Sequence, residues 1–327
     1  MNKKNLRKFC VAPMMGYTTP HARKLYRILS KDIFLFTEMI PSATLLHSRN
    51  KNLLIENNDQ NPIAMQIGGS DPKELFLCAK IAKSYNYDEI NLNVGCPSKA
   101  VQKGKFGACL MKEKILVKNC LESMNEVNKI DVSMKCRIGI GKDFNYNFFA
   151  EFIEEVSKSG IKIIYVHARN AILNGLNPKN NRIIPPLNYE FVSKIKKEFP
   201  NISFIINGGI DSVEKALELS QKYQGVMVGR MIKNNPLCLA EIDKLFFENA
   251  IKPDLQEKII LQYFKYIKSK LDTDSIFRLL SPLLGILFAQ PHSKKIKIQV
   301  HSQIKNNEID SLESSFMQFI NQKSYIN

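Results

Sequence analysis

Apolar and polar positions follow two alternating periods along the first three quarters of the chain. Short β-rich runs stand at residues 9–12, 33–37, 63–67, 89–93, 132–136, 163–167, 203–206 and 225–228. Between them apolar residues recur at helical spacing over 72–84, where Leu75, Ala79 and Ala82 share a face, and over 112–128, 146–159, 189–199 and 212–223. Strand and helix in alternation predict a parallel sheet, because each strand must be reached by a crossover. About eight such units in roughly 240 residues is the size of a (β/α)8 TIM barrel. A doubly wound sheet is the structural rival, but it carries no natural count of eight.

From about residue 236 glycine becomes scarce and helical spacing dominates. Ile259, Ile260, Tyr263, Phe264 and Ile267 form one stripe. Ile276, Leu279, Leu280, Leu283 and Leu287 form a second, interrupted by Pro282. Leu312, Phe316, Phe319 and Ile320 form a third. The expected organisation is a barrel domain over 1–240 and a C-terminal all-α helical bundle over 241–327.

In a barrel, chemistry sits at the C-terminal ends of the strands. In strand order these ends carry Pro13-Met14-Met15, Glu38, Gln66, Asn93 with Cys96, Lys135 with Arg137, His167 with Arg169, Asn207-Gly208-Gly209 and Gly229-Arg230. Cys96 lies just past a strand, in a loop that Gly95 is expected to turn tightly and Pro97 to stiffen. A thiol held there can donate or accept a proton. A free cysteine is as readily a small buried apolar residue.

The loops after strands seven and eight commonly bind phosphate in barrels. Here they are Asn207-Gly208-Gly209-Ile210-Asp211-Ser212 and Gly225-Val226-Met227-Val228-Gly229-Arg230. Glycines let backbone N–H groups approach a phosphate, and Arg230 adds charge and donors. Lys135 interrupts an apolar strand. Such a lysine either faces an anion or extends its head to the rim. A flavin ring, anionic when reduced, would be a fitting partner, and Gln66 could hydrogen-bond the same ring. Phosphate loops, Lys135 and Gln66 together suggest flavin mononucleotide (FMN) rather than a dinucleotide, since no GxGxxG follows the first strand. His167 alone is as readily structural as catalytic. The segment after it, 174–187, is long, polar and basic, and such loops tend to be functional. Its Lys179 and Arg182 could contact a polyanion or be solvated.

Composition narrows the partners. The chain has 327 residues, with 47 Lys+Arg against 31 Asp+Glu and a formal charge of +16. That excess favours polyanions, although abundant Lys, Asn and Ile also reflect compositional bias. Seven cysteines without a CxxC pair argue against a disulfide framework or a zinc site. No signal-type run and no membrane-length apolar stretch is present. A cytoplasmic protein without a metal is expected.

Taken together, Ala12-Pro13-Met14-Met15, Gln66-Ile67-Gly68-Gly69-Ser70, Asn91-Leu92-Asn93-Val94-Gly95-Cys96-Pro97-Ser98, Val101-Gln102, Phe106-Gly107-Ala108-Cys109-Leu110-Met111, Lys135-Cys136-Arg137-Ile138-Gly139 and His167-Ala168-Arg169 resemble the tRNA-dihydrouridine synthases. The resemblance continues through Gly175-Leu176, Pro185-Pro186-Leu187 and Asn207-Gly208-Gly209-Ile210, and fits the bacterial A-type subfamily best. It implies that Pro13, Met14 and Met15 pack on and hydrogen-bond FMN, and that Gln66, Lys135 and His167 contact its ring or ribityl chain. It further implies that Asn207, Gly208, Gly209, Gly229 and Arg230 hold the phosphate. NADPH is then the reductant and Cys96 the general acid, with Asn93 near flavin and target uracil. Lys179, Asn180, Arg182 and Ile183 become candidate tRNA contacts, as do Lys294, Lys295 and Lys297 in the helical domain. The implied product is dihydrouridine in the tRNA D-loop, at uridines 20 and 20a, made by a monomer.

Two departures from the subfamily pattern stand out. Gly16, Tyr17, Thr18, Thr19, Pro20 and His21 replace an acidic or aromatic pair and Asp-Arg-His, and Ser281-Pro282 replaces an Arg-His pair. Both bear on tRNA orientation. Two rival readings are a flavin oxidoreductase acting on a small molecule and a tRNA-binding protein without chemistry.

Overall fold

The computed structural model describes residues 6–49, 57, 60–249, 255–288 and 293–324. Two compact units emerge, the first comprising residues 1–16 and 33–228, the second 17–32 and 229–327.

The strands of the first unit, in chain order, are β1 (Phe9–Val11), β2 (Leu35–Phe36), β3 (Ile40–Pro41), β4 (Ile63–Gly68), β5 (Glu89–Val94), β6 (Asp131–Arg137), β7 (Ile163–His167), β8 (Ser203–Asn207) and β9 (Gly225–Val228). Eight of them pair in parallel in the order β1-β9-β8-β7-β6-β5-β4-β2. The ring then closes. Phe34 N–H donates to Phe9 O at 2.9 Å and Val11 N–H to Phe34 O at 2.9 Å, just ahead of β2. The result is the expected parallel barrel, with all eight predicted strands in place.

β3 was not apparent in the sequence. It pairs with β4 alongside β2, and its register shows why it is separate. Phe36 faces Ala64 and Ile40 faces Ile67. Four steps on one side (36 to 40) match three on the other (64 to 67), so one extra residue bulges there. The bulge contains Thr37, whose Oγ1 accepts from the Gln66 N–H at 3.0 Å.

The barrel interior is divided by chemistry. One side is apolar, with Cys10, Ala12, Phe34, Phe36, Ala64, Tyr165, Ile205 and Met227 packed together. Phe36 and Tyr165 meet edge-on at 5.1 Å between ring centroids. The β5 side is polar. Ile90, Leu92 and Val94 are fully buried on one face, while the alternate positions Glu89, Asn91 and Asn93 join polar partners inside. At the N-terminal end, Arg7 Nε donates to Glu89 Oε2 at 2.7 Å and Arg7 Nη2 to Asp131 Oδ2 at 2.9 Å. Crossover helices start where the sequence places caps. Asp71 accepts from Glu74 N–H and Pro72 opens the helix Pro72–Ser84.

The second unit is discontinuous in sequence. Its helix Pro20–Leu29, capped by Thr19, was not among the predicted helices, although Ala22, Leu25, Tyr26 and Leu29 share one buried face. His21 Nδ1 meets Tyr266 Oη at 2.7 Å and His21 Nε2 meets Asp274 Oδ2 at 2.9 Å. The unit boundary falls after Val228, not at residue 240. The three predicted stripes are buried except at Ile276, which is half-buried, with Ile260, Tyr263, Phe264, Leu279, Leu280, Leu312 and Phe316 inaccessible to solvent. The interruption by Pro282 is also present: the helix Ile276–Leu280 ends and a 3-10 segment, Leu283–Leu287, follows. Among the described residues, no helix is long and apolar enough to cross a membrane.

Candidate active site

Cys96 is half-buried in the loop after β5. Asn93 holds the loop: its Oδ1 accepts from Gly95 N–H at 3.1 Å and from Cys96 N–H at 3.0 Å. Its Nδ2 donates to Gln66 Oε1 at 2.8 Å. The turn is not made by a left-handed Gly95, which lacks a positive φ. A Cβ there would lie 3.4 Å from the Cys136 backbone, an ordinary van der Waals contact, so neither φ nor lack of room demands glycine at this position. The left-handed residue is Gly107, at φ +76°, where a Cβ would come within 2.6 Å of Cys96 O. Ala108 N–H donates to that oxygen at 2.9 Å. The segment Phe106-Gly107-Ala108 therefore packs against the cysteine loop.

Parallel register places Lys135 beside Asn93, and Arg137 beside His167, which in turn faces Asn207. These side chains gather at the C-terminal end of the barrel. Burial, then neighbouring Arg137, pull the Lys135 ammonium down to about 8. Burial and the cations Arg137, Lys135, Arg169 and Arg182 hold the His167 pKa well below its ordinary value, so the imidazole is neutral near pH 7. Its Nε2 is buried and has no hydrogen-bond partner. Arg137 is also buried, yet its partners are neutral carbonyls: Nε donates to Gly95 O at 3.0 Å, and Nη1 to Asn170 O at 2.8 Å and Asn181 O at 3.0 Å. One guanidinium thus ties together the cysteine loop, the loop after β7 and the turn at Asn181.

Gly208 and Gly209 follow β8 with φ of +109° and +67°. A Cβ on Gly208 would stand 2.7 Å from His167 Cδ2, and one on Gly209 would stand 2.3 Å from Leu187 Cδ1. Tyr189 Oη donates to Gly208 O at 2.5 Å, and Asn207 Nδ2 to Met227 O at 2.7 Å. An orphaned neutral imidazole nitrogen, a closely approached glycine pair and a concentration of cations fit a polar, anionic ligand such as a flavin phosphate cofactor.

The loop 170–187 is more ordered than its composition suggests. Asn181, fully buried, accepts from Ile172 N–H at 2.8 Å and donates to Ile172 O at 2.9 Å and Leu176 O at 3.2 Å. Arg169 Nη1 donates to Ile183 O at 3.3 Å and also to Pro185 O. Gln102 Nε2 bridges Pro97 O at 2.9 Å and Leu173 O at 3.0 Å, joining this loop to the cysteine loop. Lys179, Arg182 and Ile183 are exposed on it, and Asn180 is half-buried.

The structure therefore brings together Gln66, Asn93, Cys96, Lys135, His167, Asn207, Gly208 and Gly209. Pro13 and Met14 are half-buried after β1, and Met15 is exposed. Gly16 N–H beside them donates to Glu38 Oε1 at 2.5 Å. Gly229 and Arg230 follow β9 but belong to the second unit, where Arg230 opens the short helix Arg230–Asn234. Lys294, Lys295 and Lys297 are exposed on the helix Ser293–Lys305 of that unit. Sequence reasoning gave no separate role to Asn91, Gln102, Ser133 and Asn181. Polar residues alternating on β5 were the available signal for Asn91.

A family model described as "Dihydrouridine synthase (Dus)" matches residues 10–320. Among curated relatives, a Shewanella oneidensis tRNA-dihydrouridine(20/20a) synthase is 44% identical over 271 residues, covering 83% of this chain and 81% of its own. The Vibrio cholerae protein of that name is 41% identical, covering 88% of each. The Pseudomonas aeruginosa one is 39% identical, covering 89% of this chain and 88% of its own. Among solved structures, the old yellow enzyme homologue from Zymomonas mobilis has a TM-score of 0.50 at 12% identity, covering 77% of this chain and 92% of that one. That similarity concerns the fold.

Proposed function

The chain belongs to the dihydrouridine synthase family, and from that premise we propose that it reduces uracil to dihydrouracil in the D-loop of tRNA, at the 20 and 20a positions. The observation that carries this reading is the thiol of Cys96, on a loop clamped by Asn93 beside Lys135 and Arg137. The cofactor is FMN and the reductant NADPH, in a monomeric cytoplasmic enzyme.

Gln66, Lys135 and His167 would hold the flavin ring, with Pro13, Met14 and Met15 beside it. Asn207, Gly208 and Gly209 would hold its phosphate, where positive-φ glycines leave room for backbone donors. When bound, FMN reduced by NADPH supplies the hydride that uracil C6 receives. Cys96 gives its thiol proton to C5 from the opposite face, so that the two sources converge on one double bond. Lys135 keeps a cation beside the negative charge of the reduced cofactor. The target base must leave its stack to reach the barrel end, which is cheaper in a loop than in a duplex. Lys179, Asn180, Arg182 and Ile183 on the first unit and Lys294 and Lys297 on the second would meet the tRNA, mostly through phosphates.

The test is dihydrouridine content after unmodified tRNA is incubated with NADPH and either the native protein or Cys96→Ala. Product with the native protein and little with the variant supports the reading. Flavin reduction without product, together with salt-insensitive tRNA binding, favours a small-molecule oxidoreductase instead.

A further inference from the structure

The polar side of the barrel interior forms one directed chain of hydrogen bonds. Cys96 N–H donates to Asn93 Oδ1 at 3.0 Å, Asn93 Nδ2 to Gln66 Oε1 at 2.8 Å, and Gln66 Nε2 to Asn91 Oδ1 at 2.8 Å. Asn91 Nδ2 then donates to Ser133 Oγ at 2.6 Å, and the Ser133 hydroxyl donates to Glu89 Oε1. Glu89 also accepts from Arg7 Nε at 2.7 Å and from Tyr165 Oη at 3.1 Å. Glu89, Asn91 and Ser133 are inaccessible to solvent, and Gln66 is 1% exposed.

The direction of the chain is imposed at both ends. At the top, two backbone N–H groups face Asn93, so its oxygen must point to them and its amide nitrogen to Gln66. At the bottom, Glu89 receives donors from three side chains and so acts as a pure acceptor, with Arg7 balancing its charge. Ser133 has one hydrogen, spent on Glu89, so only a lone pair remains for Asn91. A flip of any amide between these ends would set donor against donor or oxygen against oxygen, each a buried unsatisfied pair.

We propose that Asn91 and Ser133 are positioning residues for the cysteine loop: through Gln66 and Asn93 they fix the backbone that presents Cys96, using the Arg7–Glu89 pair at the opposite end of the barrel as an anchor. Neither side chain touches Cys96. They act by closing the chain below Gln66, so that the two amides that lie between cannot shift without leaving the buried Gln66 donor unpaired. Only the kinetic part of the test below rests on the proposed reaction.

The experiment uses the purified protein with its flavin, as Ser133→Ala, Asn91→Leu and Ser133→Thr. The rate of Cys96 alkylation by iodoacetamide is followed by peptide mass, with Cys238 in the second unit as internal reference. Ser133→Ala and Asn91→Leu are expected to change the Cys96 rate about fivefold, the equivalent of one typical lost hydrogen bond, while Cys238 is unchanged. Ser133→Thr, which keeps the hydroxyl, returns the Cys96 rate to the native value. With tRNA, kcat falls and KM stays within about twofold. If Asn91→Leu fails to fold, Ser133→Ala and Ser133→Thr decide the matter. A Cys96 rate that is unmoved in folded Ser133→Ala, or that changes in step with Cys238, overturns the proposal. Failure of the native protein to make dihydrouridine would instead overturn the reaction and leave the alkylation result standing.

Discussion

The side-chain oxygen of Asn93 accepts the backbone N–H of Cys96 at 3.0 Å, so a residue inside the barrel strand β5 also sets the pose of the thiol in the loop that follows. Both the oxygen and the amide nitrogen of Asn93 are thereby committed to the protein.

Replacement of Cys96 by alanine should lower dihydrouridine formation by about 100-fold or more, the usual worth of a positioned general acid. Its loop bonds are backbone bonds, so the urea midpoint should hardly move. Steady-state turnover and equilibrium unfolding measured side by side check both halves. Native-like turnover in Cys96→Ala would remove the thiol from the mechanism.

Arg137→Met should cost on the order of 2 kcal/mol or more, because buried carbonyls of Gly95, Asn170 and Asn181 lose their donor at once. Arg137→Lys keeps the charge but cannot fork to three oxygens, and should fall between the two. Chemical denaturation of the flavin-free protein is the measurement.

Two bases at the C-terminal end of the barrel, buried His167 and half-buried Lys135, shape opposite ends of the pH profile. The unfolded chain protonates His167 as pH falls through the ordinary histidine range, whereas the folded state resists, so native stability declines with acid. Lys135 releases its proton at about 8 when folded but near 10.5 when unfolded. Between those values the unfolded chain binds more protons, and stability rises with pH. His167→Gln should flatten the acidic decline and Lys135→Met the alkaline rise. Urea midpoints of the flavin-free proteins across buffers decide it; unchanged slopes would reject the assignments.

Asn181→Ala should loosen the loop after β7 without unfolding the barrel. Amide exchange over 172–182 should accelerate, and KM for tRNA should rise by more than kcat falls. An exchange map indistinguishable from the native one would show that Arg137 and Arg169 suffice.

The barrel was legible because eight β-rich runs and the helices between them have different periods, and because each strand end carried a polar or glycine residue. Cys96, Lys135, His167 and the Gly208-Gly209 pair announced themselves by interrupting apolar strands or ending them. Asn91 and Ser133 did not, since a polar residue inside a strand reads equally as solvent-facing until the sheet curls shut and its inner face becomes an interior. Gly95 misled because a glycine beside the cysteine reads as the turn residue, whereas the left-handed position that shapes this loop is Gly107, distant in sequence and pressed against Cys96. The helix Pro20–Leu29 was missed because its partners lie in the distant C-terminal part of the chain.

That helix gives the chain an order of assembly. Ser30 bonds Asp243, Asp32 bonds Asn249 and His21 bonds Asp274, across 213, 217 and 253 positions respectively. During synthesis these residues emerge near the start and wait for almost the whole polypeptide before their partners exist. Contacts of such separation form late and slowly. A fragment cut at the end of the last barrel strand keeps Leu25, Tyr26 and Leu29 but loses what they bury against. The second unit thus takes part of its chain from the first crossover, and a cut after Val228 leaves that part without the rest of its unit.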